Sequence, residues 1–342
     1  MGAKTAEKTV VVTGGNAGLG YECARTISAS DPTWHVVLAC RDVGKGESAA
    51  LAISEKTGRP NVEALALDLA SLASVRSFCR ELAFREDLPP LKAVVCNAGL
   101  QVVSGTTRTT DGFETTFGVN HLGHFLLVNL LLGQLAAPAR VVFVSSGTHD
   151  PKRKTGMPAP RYRGAEALAY PERHADPEEE GEGPGLAGRR RYTASKLCNV
   201  MCAYELDRRL LAEGLSIPEA PIDANVFDPG AMPKTGLARD WGAAGRLVWN
   251  GLLPPLVPAL RRLGVPFSTA ENSGRALARI VTEPSLGGVS GRYFEIDGES
   301  SSSRESYDRS KAEELWETSA VLVGLGPRET PLRVAAAATW ST

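Results

Sequence analysis

The chain has 342 residues, of which 43% are hydrophobic and 23% are charged, and its formal net charge at pH 7 is −1. This length is enough for one large core or two modest ones. Charges of both signs are dispersed, so the basic stripe that a nucleic-acid-binding protein needs is missing, and we expect no nucleic-acid partner. The N-terminus lacks an apolar signal region and no apolar run is long enough to cross a bilayer, which favours a soluble, cytoplasmic protein.

Six cysteines occur at positions 23, 40, 79, 96, 198 and 202, mostly in apolar surroundings and without a CxxC pair. This spacing is typical of reduced thiols in a cytosolic protein rather than of a disulfide framework. Cys198 and Cys202 could share a helical face, but no further Cys or His stands at ligand spacing. We therefore expect no metal site.

The first predicted strand, Thr9–Thr13, runs directly into a glycine-rich turn, TGGNAGLG, and a predicted helix over Tyr21–Ser28. Gly14 permits the tight turn, Gly18 lets the backbone approach a pyrophosphate at the positive end of the helix, and Gly20 allows close packing of helix on strand. A glycine turn can also be purely structural, but its place after the first strand of a long α/β chain predicts a dinucleotide site. The predicted cofactor-binding residues of the turn are Gly14, Asn16, Gly18, Leu19 and Gly20.

The second predicted strand, Trp34–Ala39, is followed by Cys40, Arg41 and Asp42, where an NAD-selective site usually offers a carboxylate to the ribose hydroxyls. An arginine here suits the 2′-phosphate of NADP, because a guanidinium stacks on adenine and binds phosphate oxygens with two hydrogen bonds. The sequence therefore predicts NADP(H) as cofactor, with Arg41 as the phosphate ligand. If the backbone places Asp42 at the ribose, this preference weakens, and Arg41 as a solvated loop residue is a further alternative.

Small or polar residues follow each of the next predicted strands, at the sheet edge where ligands bind. They are Asp68 and Leu69 at the end of Leu65–Leu69, Asn97, Ala98 and Gly99 at the end of Ala93–Gly99, and Ser145 and Ser146 after Arg140–Val144. Strands and helical segments alternate from Thr9 through Gly147. This pattern predicts an α/β fold in a single domain: a Rossmann-like, doubly wound parallel sheet with helices on both faces.

Tyr192 and Lys196 are four residues apart and lie on one helical face, where an ammonium group can lower the pKa of a neighbouring phenol. Such a phenol can exchange a proton with a reacting oxygen near neutral pH. Asn120 stands in an apolar helical segment, where asparagine is unfavourable, which indicates a polar task such as holding a water beside Lys196. His121 and His124 are expected to pack and to form local hydrogen bonds.

Taken in order, these motifs resemble the short-chain dehydrogenase/reductase family, and the resemblance covers nearly the whole chain. The motifs are TGGNAGLG, Asp68-Leu69, Asn97-Ala98-Gly99, NHLGHF from position 120, Ser145-Ser146, YTASK from position 192 and Pro229-Gly230. The cofactor-binding residues that the resemblance adds to the glycine turn and Arg41 are Asp68, Leu69, Asn97, Ala98, Gly99, Tyr192, Lys196, Pro229 and Gly230.

The resemblance also implies four catalytic roles. Ser146 orients the substrate oxygen, and Tyr192 donates or accepts its proton. Lys196 binds the nicotinamide ribose and lowers the pKa of Tyr192, while Asn120 anchors a proton-relay water. Ser145 is the alternative to Ser146, because one residue of register exchanges the two faces of a strand.

Several segments resemble more narrowly the light-dependent protochlorophyllide reductase branch of that family: ACRDVGKGE, LDLASLASVRSF, NHLGHFLL, SKLCN, TEPSLGGVSGRYF and LWETSAVLVGL. In that branch the cysteine two residues after the lysine, here Cys198, is linked to placing or protonating the substrate during reduction of a ring carbon–carbon double bond. A small apolar helix residue is the alternative interpretation of Cys198. Two positions depart from the branch: Ala194 stands where it tends to carry an acid, and Ala231 where it often has a cysteine.

We therefore expect an NADP(H)-dependent enzyme that interconverts a carbonyl and an alcohol on a small hydrophobic substrate. Light-dependent reduction of a tetrapyrrole double bond is one alternative. A non-catalytic NADP(H)-binding sensor or scaffold is another.

The catalytic domain is predicted over residues 1–325. Residues 150–191 form an insertion rich in Pro, Gly, Arg and Glu, which we interpret as a mobile flap or a solvated loop. Residues 231–270 alternate apolar residues with prolines and predict a cover over a hydrophobic ligand, while a peripheral membrane contact or a second subunit stays open for this segment. Residues 326–342 are expected to form a disordered tail.

Overall fold

A computed structural model describes residues 6–174, 181–233 and 267–334, together with the isolated positions 240, 247, 251 and 256. The strands in these ranges are β1 (Lys8–Thr13), β2 (Trp34–Cys40), β3 (Val62–Ala66), β4 (Leu91–Cys96), β5 (Leu135–Val144), β6 (Ile222–Phe227), β7 (Tyr293–Glu295) and β8 (Gly298–Ser300). The helices are α1 (Gly18–Ser30), α2 (Val43–Thr57), α3 (Leu72–Ala83), α4 (Thr115–Phe117), α5 (Gly123–Leu131), α6 (Ala165–Ala169), α7 (Pro184–Ala212), α8 (Ala270–Thr282) and α9 (Arg309–Leu322). A π-helical segment, Gly118–Leu122, joins α4 to α5.

The strands form one sheet in the order β3-β2-β1-β4-β5-β6-β7-β8. All neighbouring pairs from β3 to β7 are parallel, and only β8 runs antiparallel to its neighbour β7. The chain order reverses between β1 and β4, and this switch point opens the crevice in which doubly wound sheets bind their ligands. The predicted α/β fold class is therefore confirmed.

Valine dominates the central strands, and helices cover both faces of the sheet. Val11 of β1 packs into a core with α3, α5, α7 and α9, whereas its neighbours Val10 and Val12 face a second core with α1, α2 and α8. Successive residues of a strand point to opposite faces, so a strand that is buried on both sides has a continuous apolar sequence. The Thr9–Thr13 run has this pattern.

Two predicted strands end earlier than their sequences suggest. β3 stops at Ala66, because Asp68 turns the chain: its Oδ1 atom accepts a hydrogen bond from the Ala70 backbone N–H over 3.0 Å. β4 stops at Cys96, and Asn97 begins the turn that follows. The polar residues assigned to strand ends therefore lie in the turns just beyond, still at the carboxyl edge of the sheet.

The structure describes much of the segments that were predicted to be irregular. Within 150–191, Ala165 and Ala169 of α6 are buried in the core, and α7 already begins at Pro184. In the predicted tail, Leu332 is also buried, so the chain stays packed on the core to that point instead of fraying after Gly326. Most of the predicted ligand cover over 231–270, and residues 335–342, lie outside the described residues. Among the helices that the structure describes, none is long and apolar enough to cross a membrane.

Candidate active site

The glycine turn after β1 leaves no room for side chains. Gly14 and Gly18 have φ values of +65° and +57°, which a residue with a Cβ rarely adopts. A Cβ atom at Gly20 would lie 2.5 Å from both the Gly14 carbonyl oxygen and the Asn97 Nδ2 atom. Helix α1 begins at Gly18, and its N-cap residue, Ala17, forms no side-chain hydrogen bond to the helix. The first N–H groups of α1 therefore face the crevice without a capping side chain.

Thr13, the last residue of β1, ties the glycine turn to the end of β4. Its Oγ1 atom accepts hydrogen bonds from the backbone N–H groups of Asn97 and Ala98, each over 2.9 Å. The Asn97 side chain returns a bond of 2.7 Å from Nδ2 to the Thr13 carbonyl oxygen. The two sides of the switch point are thereby held in fixed register. Asn97 acts here as a support of the crevice, a role that its position in the sequence did not reveal.

His124 connects Thr13 to the catalytic region. Its Nδ1 atom is 3.1 Å from the Asn120 carbonyl oxygen, which can only accept, so Nδ1 carries the proton. Nε2 therefore accepts from the Thr13 hydroxyl over 2.9 Å. Burial lowers the pKa of His124 to about 4, which keeps the ring neutral. The expectation of local packing and hydrogen bonding is confirmed for His124, and for His121, whose Nε2 atom is 2.9 Å from Ser319 Oγ.

Asn120 lies in the π-helical segment, and its side chain is fully buried. Oδ1 accepts the Leu100 N–H and Nδ2 donates to the Leu100 carbonyl oxygen, both over 2.9 Å. Nδ2 also donates to Ser195 Oγ over 3.0 Å. The amide thus joins the loop after β4 to helix α7, close to Lys196: a Cβ atom at Gly99 would lie 3.4 Å from both Asn120 Oδ1 and Lys196 Nζ. π-Helical turns are common at functional sites.

Helix α7 brings Tyr192 and Lys196 to the end of β5. The Tyr192 hydroxyl is hydrogen-bonded to Ser146, and the Lys196 ammonium donates to the Val144 carbonyl oxygen over 3.1 Å. Lys196 Nζ lies 5.7 Å from the centre of the Tyr192 ring. Ser145 points away from this group, because its Oγ atom donates to the Lys196 carbonyl oxygen over 2.7 Å. Of the two candidate serines, Ser146 is the one beside the phenol.

The charges around Tyr192 differ from the expectation that Lys196 lowers its pKa. Burial raises the pKa of Tyr192 above its usual value, and the carboxylate of Asp228 raises it further, against a smaller opposing effect of the Ser146 hydrogen bond. Burial also lowers the pKa of Lys196 to about 8, while Asp228 opposes that shift. Burial and Asp228 therefore act against the lowering of the Tyr192 pKa that the resemblance implies, and that role of Lys196 stays a prediction.

The turn after β2 separates the roles of Arg41 and Asp42. Asp42 caps helix α2: its Oδ1 atom accepts the Lys45 N–H over 3.0 Å, and its Oδ2 atom is 2.7 Å from Lys45 Nζ. Hydrogen bonds from the side chain and the backbone N–H of Lys45 lower the pKa of this carboxyl group. Arg41 is exposed at the sheet edge. The carboxylate is thus engaged with its own helix, whereas Arg41 is exposed to solvent.

The remaining predicted cofactor contacts lie in turns at the same edge. Asp68 is half-buried and Leu69 buried, at the turn that leads into α3. Gly230 has a φ value of +69° and donates its N–H to Asp228 Oδ1 over 2.9 Å. The Pro229 carbonyl oxygen accepts from Ser273 Oγ over 2.7 Å, which ties this turn to α8.

Comparison with known proteins decides the family. Residues 8–157 match the short chain dehydrogenase family. The chain is 35% identical over 338 residues to a WW domain-containing oxidoreductase of Danio rerio, across 97% of this chain and 72% of that protein. It is 36% identical over 341 residues to a chloroplastic protochlorophyllide reductase of Daucus carota, across 95% of this chain and 80% of that protein.

The protein belongs to the short-chain dehydrogenase family. This confirms both the broad resemblance and the relation to protochlorophyllide reductases, and it makes the chain a member of a family of oxidoreductases. Among solved structures, a putative uncharacterized protein from Mycobacterium paratuberculosis has 30% sequence identity and a TM-score of 0.63, over 93% of this chain and 94% of that one. A blue fluorescent protein from a metagenomic library, in complex with NADPH, has the same fold at 21% identity, with a TM-score of 0.57 over 86% of this chain and 97% of that one.

In this short-chain dehydrogenase Cys198 is not brought to the site. It lies two residues after Lys196 on α7, which places it about 200° around the helix from the lysine. Its side chain is fully buried in the hydrophobic core, and burial raises the pKa of the thiol well above its usual value. This packing fits the alternative interpretation, a core residue, and the link of Cys198 to the substrate stays a prediction.

Three polar residues of the site were missed at the level of sequence. Asp228, directly after β6, is buried, and its Oδ2 atom accepts from the Tyr293 hydroxyl over 3.0 Å. Arg153 lies with its Nη1 atom 3.6 Å from the same Oδ2 atom. One signal in the sequence could have pointed to Asp228: it is a carboxylate at the end of an apolar strand, directly before Pro229-Gly230. Arg153 and Tyr293 had none, because each comes from a segment distant in sequence.

Proposed function

We propose that this short-chain dehydrogenase uses NADP(H) to interconvert a carbonyl and an alcohol on a small hydrophobic substrate, and that it works at neutral pH chiefly as a reductase. The observation that carries this proposal is the geometry around Tyr192: the residue is buried, its hydroxyl is hydrogen-bonded to Ser146, and the Lys196 ammonium lies 5.7 Å from the centre of its ring. A group that keeps its proton at neutral pH is suited to donate one to an oxygen that gains negative charge.

Dinucleotide binding is supported by the glycine turn. The Cβ positions of Gly14 and Gly20 are blocked by the Ala98, Asn97 and Gly14 atoms around them, so this turn stays bare backbone. Its N–H groups at the start of α1 would hold a pyrophosphate, and Arg41 would hold the 2′-phosphate of NADP. When bound, the cofactor supplies the hydride. The contacts of Asp42 favour NADP over NAD, because its carboxylate already accepts the Lys45 N–H and pairs with the Lys45 ammonium instead of facing a ribose.

In the proposed reduction, the carbonyl oxygen of the substrate lies beside the Ser146 and Tyr192 hydroxyls. As a hydride adds to the carbonyl carbon, the C=O π bond breaks and its electron pair moves to oxygen. The proton of the Tyr192 hydroxyl then passes to that oxygen, which gives the alcohol and leaves a phenolate. The Lys196 ammonium stabilises this phenolate electrostatically until a solvent proton replaces the lost one.

Asn120 supports this step by holding neighbouring groups in place. Its amide fixes Leu100 and Ser195, and its carbonyl oxygen accepts from His124. These contacts hold the loop after β4 against α7, which sets the distance between the proposed cofactor crevice and the Tyr192 hydroxyl. The relay-water role that the family resemblance implies for Asn120 stays a prediction.

Light-dependent reduction of a carbon–carbon double bond is the second candidate. It is favoured by the relatives, since several of them are protochlorophyllide reductases with 34–36% identity. The burial of Cys198 away from Tyr192 argues against it, because that thiol has no access to a substrate at the site.

The six cysteines are all buried and form no disulfide, which supports a reducing compartment such as the cytoplasm.

The test is cofactor oxidation by the purified protein with a panel of hydrophobic aldehydes and ketones, using NADPH and NADH in the dark, followed by protochlorophyllide under illumination. Dark turnover that is faster with NADPH is the expected result. Turnover only with pigment and light would replace the proposal with the second candidate. Tight NADPH binding without turnover of any substrate would instead support a sensor.

A further inference from the structure

The chain turns directly after Ser146 into a short 3₁₀ helix, Gly147–His149, of which Ser146 is the N-cap residue. The Ser146 Oγ atom accepts a hydrogen bond from the Thr148 N–H over 3.3 Å, and the Ser146 carbonyl oxygen accepts the His149 N–H over 3.0 Å. A single 3₁₀ turn is held by few hydrogen bonds of its own, and their geometry is poor. The orientation of the Ser146 hydroxyl therefore depends on contacts that fix this turn from outside.

The side chain of His149 provides such contacts. Its Nδ1 atom lies 2.7 Å from the Ser146 carbonyl oxygen, and its Nε2 atom lies 3.0 Å from the backbone nitrogen of Ser303. Ser303 comes after β8, so the ring joins the end of β5 to a segment that is 154 residues away in the sequence. The ring is fully buried, and its centre lies 5.2 Å from that of the Tyr293 ring on β7.

The two contacts of the His149 ring admit one protonation state. A carbonyl oxygen can only accept a hydrogen bond, so Nδ1 carries a proton and donates it to Ser146. A backbone N–H can only donate, so Nε2 carries no proton and accepts from Ser303. The ring is therefore neutral, with its proton on Nδ1.

His149 has no nitrogen left for a substrate. Both ring nitrogens are occupied by backbone groups, and the residue is 0% exposed. Ser146, in contrast, is only half-buried and is hydrogen-bonded to the Tyr192 hydroxyl. Any influence of His149 on the reaction must therefore pass through Ser146.

We propose that His149 is a positioning residue for Ser146: its neutral ring ties the Ser146 carbonyl group to the segment after β8 and so keeps the Ser146 hydroxyl facing Tyr192. This inference rests on the proposed function, because it concerns the orientation of the serine that holds the carbonyl oxygen of the substrate. It assigns a role to a buried histidine that the sequence motifs did not single out.

Two substitutions separate the two contacts of the ring. In His149→Asn the amide nitrogen can replace Nδ1 as donor to Ser146, because both nitrogens are bonded to Cγ. In His149→Gln the amide reaches the place of Nε2 instead, so it can accept from Ser303 but leaves Ser146 without its side-chain donor. For carbonyl reduction, kcat should fall by roughly 10-fold to 100-fold in His149→Gln and stay within about 3-fold of wild type in His149→Asn. Equal losses in both variants would show that the ring only fills space, and would reject the inference.

A double-mutant cycle tests whether His149 acts through the serine hydroxyl. Ser146→Ala leaves no hydroxyl to orient, so adding His149→Gln to this variant should change kcat by no more than about 2-fold. A residue with a merely structural role would cause the same loss in both backgrounds. His121→Gln is the matched control: His121 is also buried, at 1% exposed, and its ring contacts Ser319 instead of Ser146. Its effect on kcat should be equal with and without the Ser146 hydroxyl.

A readout that needs neither a variant nor a substrate is the tautomer of His149, measured by NMR on wild-type protein with isotope-labelled histidine. The ring is identified by its proximity to the Ser303 amide proton, and at neutral pH it should carry its proton on Nδ1. A proton on Nε2, or exchange between the two tautomers, would overturn the inference. A proton on Nδ1 in a protein that reduces no carbonyl would retain the role of His149 at Ser146 and reject the proposed function.

Discussion

At the ends of β1 and β4 the site consists of glycines, backbone amides and the Thr13 hydroxyl, whereas at the ends of β5 and β6 it consists of buried ionisable side chains. We call the first the backbone half (residues 13–20 and 97–99) and the second the ionisable half (Ser146, Tyr192, Lys196 and Asp228). In the backbone half, atoms 2.5 Å from a Cβ position decide what is tolerated. In the ionisable half, the charge of a side chain decides which substitution is tolerated, even when its shape is kept.

Two kinds of substitution therefore distinguish the two halves. An added methyl group should damage the backbone half through packing, at any pH. An isosteric change should damage the ionisable half through charge or loss of a proton, and leave its packing nearly intact. His124 links Thr13 of the backbone half to Asn120, which lies beside the ionisable half.

The largest effect is expected in the ionisable half, from Tyr192→Phe. Loss of the proton donor should lower kcat by roughly 10³-fold, within the range typical of general acid catalysis. Affinity for NADPH should change little, because the ring remains. Tyr204→Phe is the matched control on the same helix: both tyrosines are 6% exposed, and the Tyr204 hydroxyl contacts Ser302 instead of the site. Equal turnover losses in the two variants, measured by steady-state kinetics, would contradict the assignment.

Gly20→Ala should produce the next largest effect, in the backbone half. Its new Cβ atom would overlap Asn97 Nδ2 and the Gly14 carbonyl oxygen, which forces α1 away from β4. We expect a loss of stability of about 1–3 kcal/mol and a clear loss of NADPH affinity, measured by urea unfolding and by titration of cofactor fluorescence. Gly133→Ala is the control, because a Cβ atom there would meet no atom within 4 Å. Unchanged NADPH binding in Gly20→Ala would remove the steric account of this half.

Arg41→Gln tests the turn after β2, outside the backbone half, where charge should matter only for cofactor choice. Loss of a charge-assisted contact with the 2′-phosphate should weaken NADPH binding by roughly 10-fold to 100-fold and leave NADH binding unchanged. Asp42→Asn provides the opposite test. Because Asp42 caps α2, this variant should not weaken NADH binding, whereas an aspartate that holds the ribose would make NADH binding fall.

The smallest effect per group concerns acid stability. Burial lowers the pKa of His121 to about 3 and that of His124 to about 4, below the usual value of about 6.5 in an unfolded chain. The unfolded state then takes up protons first, so the stability from these neutral rings is complete above pH 6.5 and is lost as pH falls towards the folded-state values. Between pH 7 and 5.5 the two histidines together should cost about 2 kcal/mol.

His121→Gln should remove about half of that acid sensitivity in urea unfolding measured across the same pH range. The control is His174→Gln, since the His174 side chain is 37% exposed and lies outside the core. An unchanged slope in His121→Gln would show that this ring is not buried in its neutral form. The same series for His124 would report whether its contacts with Thr13 and Asn120 break as the ring gains a proton.

Local signals in the sequence were sufficient for the sheet, the glycine turn and the Tyr192–Lys196 pair. A strand followed by Gly14, Gly18 and Gly20 predicts a tight turn into a helix, because the backbone conformation of that turn depends on residues that are close in the sequence. A tyrosine and a lysine four positions apart meet for the same reason, since one helix carries both. Ser146 was predicted with Ser145 as its alternative, and the contact of Ser145 with the Lys196 carbonyl oxygen settled which serine faces Tyr192.

The electrostatics of the site depend on contacts between segments that are distant in the sequence. Asp228, Arg153 and Tyr293 come from three separate segments, so neither their contact nor its effect on the pKa of Tyr192 can be read from spacing along the chain. For Cys198 the SKLCN motif gave the order of residues but not which face of α7 is turned to the core, so the sequence left both of its interpretations open. Short-range geometry can be predicted from the sequence, because it follows from the backbone preferences of neighbouring residues and from the helical period. The charge around a buried group is a sum over neighbours that only the packed fold brings together.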